Sequence, residues 1–374
     1  MDDLLAEKKP VVLVFPFNLM AHYLRCLKYV ETLEGKDVFF QSSSKYDHFV
    51  EVNGYSVFKA ESFDESYVLN SFEKFHFKWL NLSDIERITH SIISIIKKFK
   101  PEFIIGDTHP CLKMACETTN TRYVSILNGY MTNYYALERG LPQKSKIRKS
   151  LLLLPSKLNS SITRFGEKIV FKFIHRHFNK IRRSLSLQVI DSFLEELEGD
   201  QTLICDDEFF YPQIHLPNNY SFIGPLIYQT NKNENLLINQ LNPNNKNICI
   251  SLGSSGNIGD WRFLNDDYFS DYKIIVTGKV PSLKQFKNVL TQEFINLEQI
   301  LPLCSLLICH GGNGTIYLAL KSNTPVICIP RHLEQEWNAR RIEELGLGIF
   351  LKNNDSDKLV KTIQSIINKH HTLQ

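Results

Sequence analysis

Short apolar runs alternate with longer amphipathic stretches along this chain. Residues 11–15 form an apolar run of strand length, and 21–33 then carry apolar side chains at helical spacing. Residues 37–41 read as a second strand. Residues 85–99 read as an amphipathic helix, stopped by Pro101. Buried strands follow at 103–106 and 123–127. The same plan returns later, with strands at 247–252, 272–277, 306–309 and 325–329. Helices are predicted at 314–321, 336–345 (closed by Gly346) and 356–368. Strands alternating with helices in this way predict an α/β chain of parallel sheets covered by helices.

The two series are separated by Phe222-Ile223-Gly224-Pro225-Leu226 and a polar, Asn-rich stretch from 231 to 247. That composition suits a linker rather than a core. The expected domains are therefore 1–228 and 229–374, with the last helix free to return to the first domain. Ligands of such sheets bind at the carboxyl ends of strands, so a cleft between the two domains is the expected site.

Composition narrows this only slightly. The chain has 374 residues, 43% hydrophobic and 22% charged, enough for two well-filled cores. The net charge of +3 does not argue for nucleic acid. No run approaches the roughly 20 apolar residues of a membrane span. The stretch 11–20 is also a poor signal peptide, since Asp2, Asp3 and Glu7 offset Lys8 and Lys9 and no small-residue cleavage site follows. A cytoplasmic location is expected. The eight cysteines are scattered, without the close pairs of a zinc or redox site, and are expected to be buried reduced thiols.

Chemistry concentrates where the strand 306–309 runs into His310, Gly311, Gly312, Asn313, Gly314 and Thr315. Glycines let the backbone approach an anion, and a helix N-terminus offers unpaired N–H groups and partial positive charge. Asn313 or Thr315 can add a donor, and His310 can donate to a diphosphate oxygen. The plainer alternative is a tight strand–helix turn with Thr315 as its cap. A second turn of small residues, Gly253, Ser254, Ser255 and Gly256, follows Leu252 at another strand end.

From His310 to Gly348 the sequence resembles the donor-binding signature of inverting GT-B glycosyltransferases. These are the UDP-glycosyltransferase and macrolide glycosyltransferase-like group, with its MurG-like relatives. The signature runs His-Gly-Gly-x-Gly-Thr, Glu-Ala-Leu, Gly-Val-Pro, a strand ending in Pro, Asp-Gln and Asn-Ala. Here it meets the stretch 310–315, Ala319-Leu320, Thr324-Pro325-Val326, Pro330, Glu334-Gln335, Asn338-Ala339 and Gly346-Leu347-Gly348. The resemblance is close over much of the C-terminal half and loose in the N-terminal half. It implies two facing Rossmann-like domains, an N-terminal one for the acceptor and a C-terminal one for the donor.

It further implies that Phe294 stacks on the nucleotide base while the backbone of Ile295 reads the base edge, and that Glu334 and Gln335 hold the donor sugar. Gly253, Ser254, Ser255, His310, Gly312, Asn313, Gly314 and Thr315 would hold the diphosphate. One departure is Leu318, where the family places a Glu or Gln that holds the ribose; leucine cannot accept those hydrogen bonds. His22, in a loose match to Gly-His-x-x-(Pro/Arg)-x-Leu with Arg25 in the motif, is the implied catalytic base. Asp107, ending the strand at 103–106, would hold its imidazole in one tautomer. The implied reaction is hexosyl transfer from a UDP- or dTDP-sugar to an acceptor hydroxyl, with inversion and no metal or other cofactor. The alternative is a catalytically silent protein of the same fold that binds the nucleotide weakly or partners an enzyme.

The insert 141–185 carries twelve Lys or Arg against one acid, Glu167, with apolar residues interleaved. It reads as a solvated helix face, as a contact with an anionic membrane surface or lipid-linked acceptor, or as a site for an anionic soluble acceptor. Peripheral contact with the inner face of a membrane is thus one expectation, and nucleic acid is not. The aromatic-rich stretch 63–79 and Tyr130, Tyr134 and Tyr135 could line an acceptor pocket.

Overall fold

The computed structural model describes residues 9–74, 76–141, 148, 155–228, 237–242, 244, 246–252, 261–278, 283–352 and 356–371. The chain divides into two compact units, Met1–Tyr228 and Gln229–Gln374.

The described part of the first unit holds seven parallel strands: β1 (Val11–Pro16), β2 (Asp37–Gln41), β3 (Ser56–Phe58), β4 (Phe103–Asp107), β5 (Arg122–Leu127), β6 (Gln201–Ile204) and β7 (Tyr220–Phe222). Their order is β3-β2-β1-β4-β5-β6-β7. Helices intervene as α1 (Met20–Val30), α2 (Asp47–Val52), α3 (Glu65–Glu73), α4 (Leu82–Phe99), α5 (Leu112–Thr119), α6 (Ser156–Ser184) and α7 (Phe193–Glu196). The two-residue period of β1 sends Leu13 and Phe15 into a core with α4, α5 and α6. Val12 and Val14 enter a second core on the other face, against α1 and α2. Each fully buried side chain of this kind contributes about 1.5–3 kcal/mol.

The described part of the second unit holds β8 (Asn247–Ser251), β9 (Lys273–Thr277), β10 (Val289–Gln292), β11 (Leu306–Cys309), β12 (Val326–Cys328) and β13 (Gly348–Phe350), all parallel, in the order β10-β9-β8-β11-β12-β13. Its helices are α8 (Leu297–Ile300), α9 (Asn313–Lys321), α10 (Leu333–Glu344) and α11 (Ser356–His371). The last of these turns Leu359, Val360, Ile363 and Ile367 into the core of its own unit. Both units are therefore Rossmann-like parallel sheets, and in both the order reverses beside the first strand.

Helix starts are where sequence and structure part. The α4 helix begins at Leu82, with the Asn81 side chain accepting the Asp84 N–H as a cap. The α10 helix begins at Leu333 rather than 336, because its first turn is acidic and carries no apolar period. The 29-residue α6 lies in the basic insert, which the sequence described only by composition. Phe63 and Trp79 are buried in the first core, with rings 5.0 Å apart edge to face. Tyr130 is buried as well, against Tyr211. All eight cysteines are free and buried.

Candidate functional site

In the first unit the strand order reverses between β1 and β4, which pair in register up to Pro16 and Asp107. A parallel sheet splits its crossovers at that point and leaves a crevice at the strand ends. His22 stands on the first turn of α1, just beyond β1, and Asp107 is the last residue of β4. The structure brings these two together, with His22 Nδ1 2.7 Å from Asp107 Oδ1. Asp107 is fully buried, and its backbone carbonyl accepts the Phe17 N–H at 3.1 Å. The Phe17 ring packs edge to face on the His22 imidazole, 5.6 Å between centroids. Thr108 follows in the left-handed region at φ 52°, uncommon for a β-branched residue, and donates its hydroxyl proton to Asp107 Oδ1 at 3.0 Å.

Arg25, one helical turn after His22, completes the cluster. Its Nε donates to Asp107 Oδ2 at 2.8 Å and its Nη2 to Oδ1 at 2.5 Å, a two-pronged grip on the carboxylate. Its Nη1 donates to Asn128 Oδ1 at 2.6 Å, and Asn128 in turn donates to Asp206 at 3.2 Å. The network thus crosses the carboxyl ends of β4, β5 and β6. Burial alone would push the Asp107 carboxyl up, but the Arg25 guanidinium and the His22 imidazole hold it below the usual carboxylate range.

His22 Nδ1 also lies 2.9 Å from Arg25 Nη2. One nitrogen cannot both donate and accept there, and the ionised carboxylate is the stronger acceptor at the shorter distance. We assign the proton to Nδ1, donated to Asp107. Nε2 then carries the lone pair, and both hydrogen-bond contacts of the ring are made at Nδ1. Nearby His109 is buried, which pushes its pKa down to about 3, so it adds no charge.

The second unit repeats the arrangement at its own reversal point, between β8 and β11. His310 follows β11, and α9 starts at Asn313 with Gly312 as its N-cap and no side-chain cap, so Thr315 does not cap it. Gly311 needs to be glycine: its φ is +89°, and a Cβ there would lie 2.9 Å from the Gln335 carbonyl oxygen. Asn338 Nδ2 donates to the Gly311 carbonyl at 2.8 Å and ties the turn to α10. At Gly312 and Gly314 a Cβ would meet nothing within 4 Å, so the backbone here is open to a ligand.

His310 is only 4% exposed, and its Nδ1 lies 2.8 Å from the Ile329 carbonyl oxygen, an acceptor. That contact fixes the proton on Nδ1 and leaves Nε2 buried without a partner. Burial, reinforced by Arg331 and His332, keeps the imidazole pKa below its ordinary value. In the neutral form Nε2 is therefore an acceptor, not the donor to phosphate that the sequence suggested. It donates only when the ring is protonated.

The remaining expected residues are scattered in role. Phe294 is 57% exposed just past β10, so it is not a core aromatic, and Ile295 beside it is half-buried. Gln335 is buried in the first turn of α10, and its side-chain oxygen accepts the Arg331 N–H at 2.9 Å. Glu334 precedes it, half-buried. Leu318 is half-buried on α9. Gly253, Ser254 and Ser255 lie outside the described residues. Among the described residues no cluster of three His, Cys, Asp or Glu could hold a metal ion, and no helix is long and apolar enough to cross a membrane.

Sequence reasoning names Arg25 only within a motif and misses Asn128 and Asp206. A signal existed. Both fall just past apolar strands, and Arg25 is spaced i, i+3 from His22 on one helix.

Comparison with known proteins agrees with this architecture. Residues 265–373 match the family model described as the C-terminal domain of erythromycin biosynthesis protein CIII-like proteins. A PGL/p-HBAD biosynthesis glycosyltransferase of Mycobacterium tuberculosis is 23% identical over 264 residues, covering 69% of this chain. The match spans 60% of that relative's length. The solved structure of the glycosyltransferase of kitacinnamycin superposes with a TM-score of 0.70 at 15% identity, over 96% of this chain and 91% of that one. Glycosyltransferase VinC in complex with dTDP superposes with a TM-score of 0.63 at 16% identity, over the same shares of the two chains, 96% and 91%. Two Rossmann-like units and these superpositions show the GT-B fold, and the C-terminal family match and the relatives make the chain similar to the UDP-glycosyltransferase-like group.

Proposed function

We propose that this chain is an inverting glycosyltransferase that moves a sugar from a UDP- or dTDP-sugar to an acceptor hydroxyl. The observation that carries the reading is the His22–Asp107 pair at the reversal point of the first sheet, with the ring's hydrogen-bond contacts at Nδ1 and Nε2 left to act as base. The names of the relatives and the dTDP complex of a protein of the same fold support it.

In this reading Nε2 of His22 takes the acceptor hydroxyl proton as the oxygen attacks the anomeric carbon from the face opposite the leaving group. The new C–O bond forms as the bond to the diphosphate breaks, and the diphosphate leaves with the electron pair. Asp107 stabilises the imidazolium that results. The open N-terminus of α9 and a protonated His310 meet the charge growing on the leaving group, a role a divalent ion fills in other enzymes. Phe294 stacks on the base, Ile295 reads its edge, and Glu334 with the Gln335 amide holds the sugar. Leu318 cannot accept the ribose hydrogen bonds, so ribose recognition comes from elsewhere, is weak or is absent.

The test is turnover with a panel of UDP- and dTDP-sugars, with EDTA present, for the native chain and His22→Ala. The variant should lose about a hundredfold or more in kcat while the nucleotide Kd stays within about threefold. Turnover that survives within a few-fold rules out His22 as the base. Binding by neither UDP nor dTDP favours the silent-partner alternative, which Leu318 motivates.

A further inference from the structure

The α6 helix has two opposite faces. Phe171, Ile174, Phe178 and Ile181 are buried in the first core. Beside them, fully buried Glu196 accepts from Arg182 Nη1 at 3.0 Å and lies 2.7 Å from His175 Nε2, and Arg182 also pairs with Glu117. The helix is thus held firmly by one side. At 100° per residue, Leu158, Ile162, Phe165, Ile169 and Phe173 fall on the opposite side in one stripe about 22 Å long. These five side chains are 40% to 67% exposed. An apolar stripe of this length on a charged helix is not left to water without reason.

The cations are placed in register with it. Arg164, Lys168 and Lys172 flank the stripe along one edge, and Arg176, Lys180 and Arg183 continue its line toward the C-terminus; all six are exposed. Arg176 lies over the Phe173 ring at 4.0 Å. The helix's only acid, Glu167, turns inward to Arg139 at 2.9 Å. Outside the helix, Asp191 meets Lys172 at 3.3 Å, and Arg164 donates to the Ala136 carbonyl. The outward face therefore offers apolar side chains and an excess of positive charge together, since Asp191 offsets only Lys172.

We propose that this face docks on an anionic lipid surface, with the stripe entering the acyl boundary and the Lys and Arg side chains among the headgroups. A second copy of the chain is disfavoured, because a two-fold contact would set six cations against six with only Asp191 on each side to offset them. The proposal goes beyond sugar transfer and does not depend on it, since vesicle binding and turnover are separate measurements.

The experiment is flotation of the full chain with vesicles of phosphatidylcholine alone, and of phosphatidylcholine with about one third phosphatidylglycerol. Binding is expected to the second and to weaken with salt. Phe165→Glu combined with Ile169→Glu should reduce it at least about tenfold. Lys168→Gln and Lys180→Gln should each reduce it about fivefold. These positions are exposed, so melting temperatures should stay at the native value. The proposal is overturned by absence of binding, by equal binding to both vesicles, by full binding of the Phe165/Ile169 variant, or by self-association that this variant abolishes.

Discussion

At the scale of single residues, the two sites differ in how they hold a histidine. His22 hands its Nδ1 proton to a carboxylate already gripped by Arg25, whereas His310 donates to an uncharged carbonyl. The first arrangement supplies a counter-charge for an imidazolium; the second supplies none until an anion arrives. A diphosphate at His310 would favour the protonated ring, raising a pKa that burial holds below 6.5 in the free protein. The sign follows from linkage: between the lower free pKa and the higher bound one, binding takes up a proton. UDP or dTDP affinity should therefore fall as pH rises through the bound-state pKa, by at most about tenfold per pH unit. Calorimetry at several pH values checks this, and His310→Gln should flatten the profile. A native profile that is already flat would remove His310 from the diphosphate site. The sequence could show that a histidine follows β11, but not which nitrogen keeps the proton. That depends on Ile329, nineteen residues away just past a neighbouring strand.

At the scale of elements, burial on both faces made the strands legible, because 103–106 or 306–309 can hardly be anything but interior. Helix starts were less so. Their first turns are polar, and caps such as Asn81 act through side-chain geometry rather than period. The α6 helix was hidden for a further reason: its two apolar faces, one inward and one outward, blur the single stripe by which a surface helix is recognised. The inward face holds a charge network whose members come from α5, α6 and α7, so it too is invisible to local pattern. Glu196 is its centre, with both oxygens bonded. Glu196→Ala would leave Arg182 and His175 buried without it, and should cost about 3–5 kcal/mol. Denaturant unfolding of the first unit would show this as a lower midpoint; a loss below about 1 kcal/mol would mean that water replaces the carboxylate.

At the scale of the whole molecule, one topological plan is used twice, and each use leaves a histidine at the point where strand order reverses. The plan was readable, since the alternation of strands and helices occurs twice with a polar stretch between. The division of labour was not, because a Rossmann-like crevice by itself does not say what it binds. It follows from contrast between the two points. The first is closed by the Arg25–Asp107 pair and presents a lone base. The second has an uncapped helix, glycines open to solvent and an unpartnered imidazole nitrogen. An anion should therefore prefer the second. Hydrogen exchange with saturating UDP or dTDP should slow at 306–317 and 331–338, where backbone N–H groups of α9 and α10 would be covered. It should not slow at 107–112 or 128–132. Binding at about 100 times the Kd adds about 2.7 kcal/mol to local opening of the unit that binds, so the protected amides should exchange about a hundredfold more slowly. Protection concentrated beside Asp107 and Asn128 instead would exchange the roles of the two units, and with them the assignment of His22 as the base.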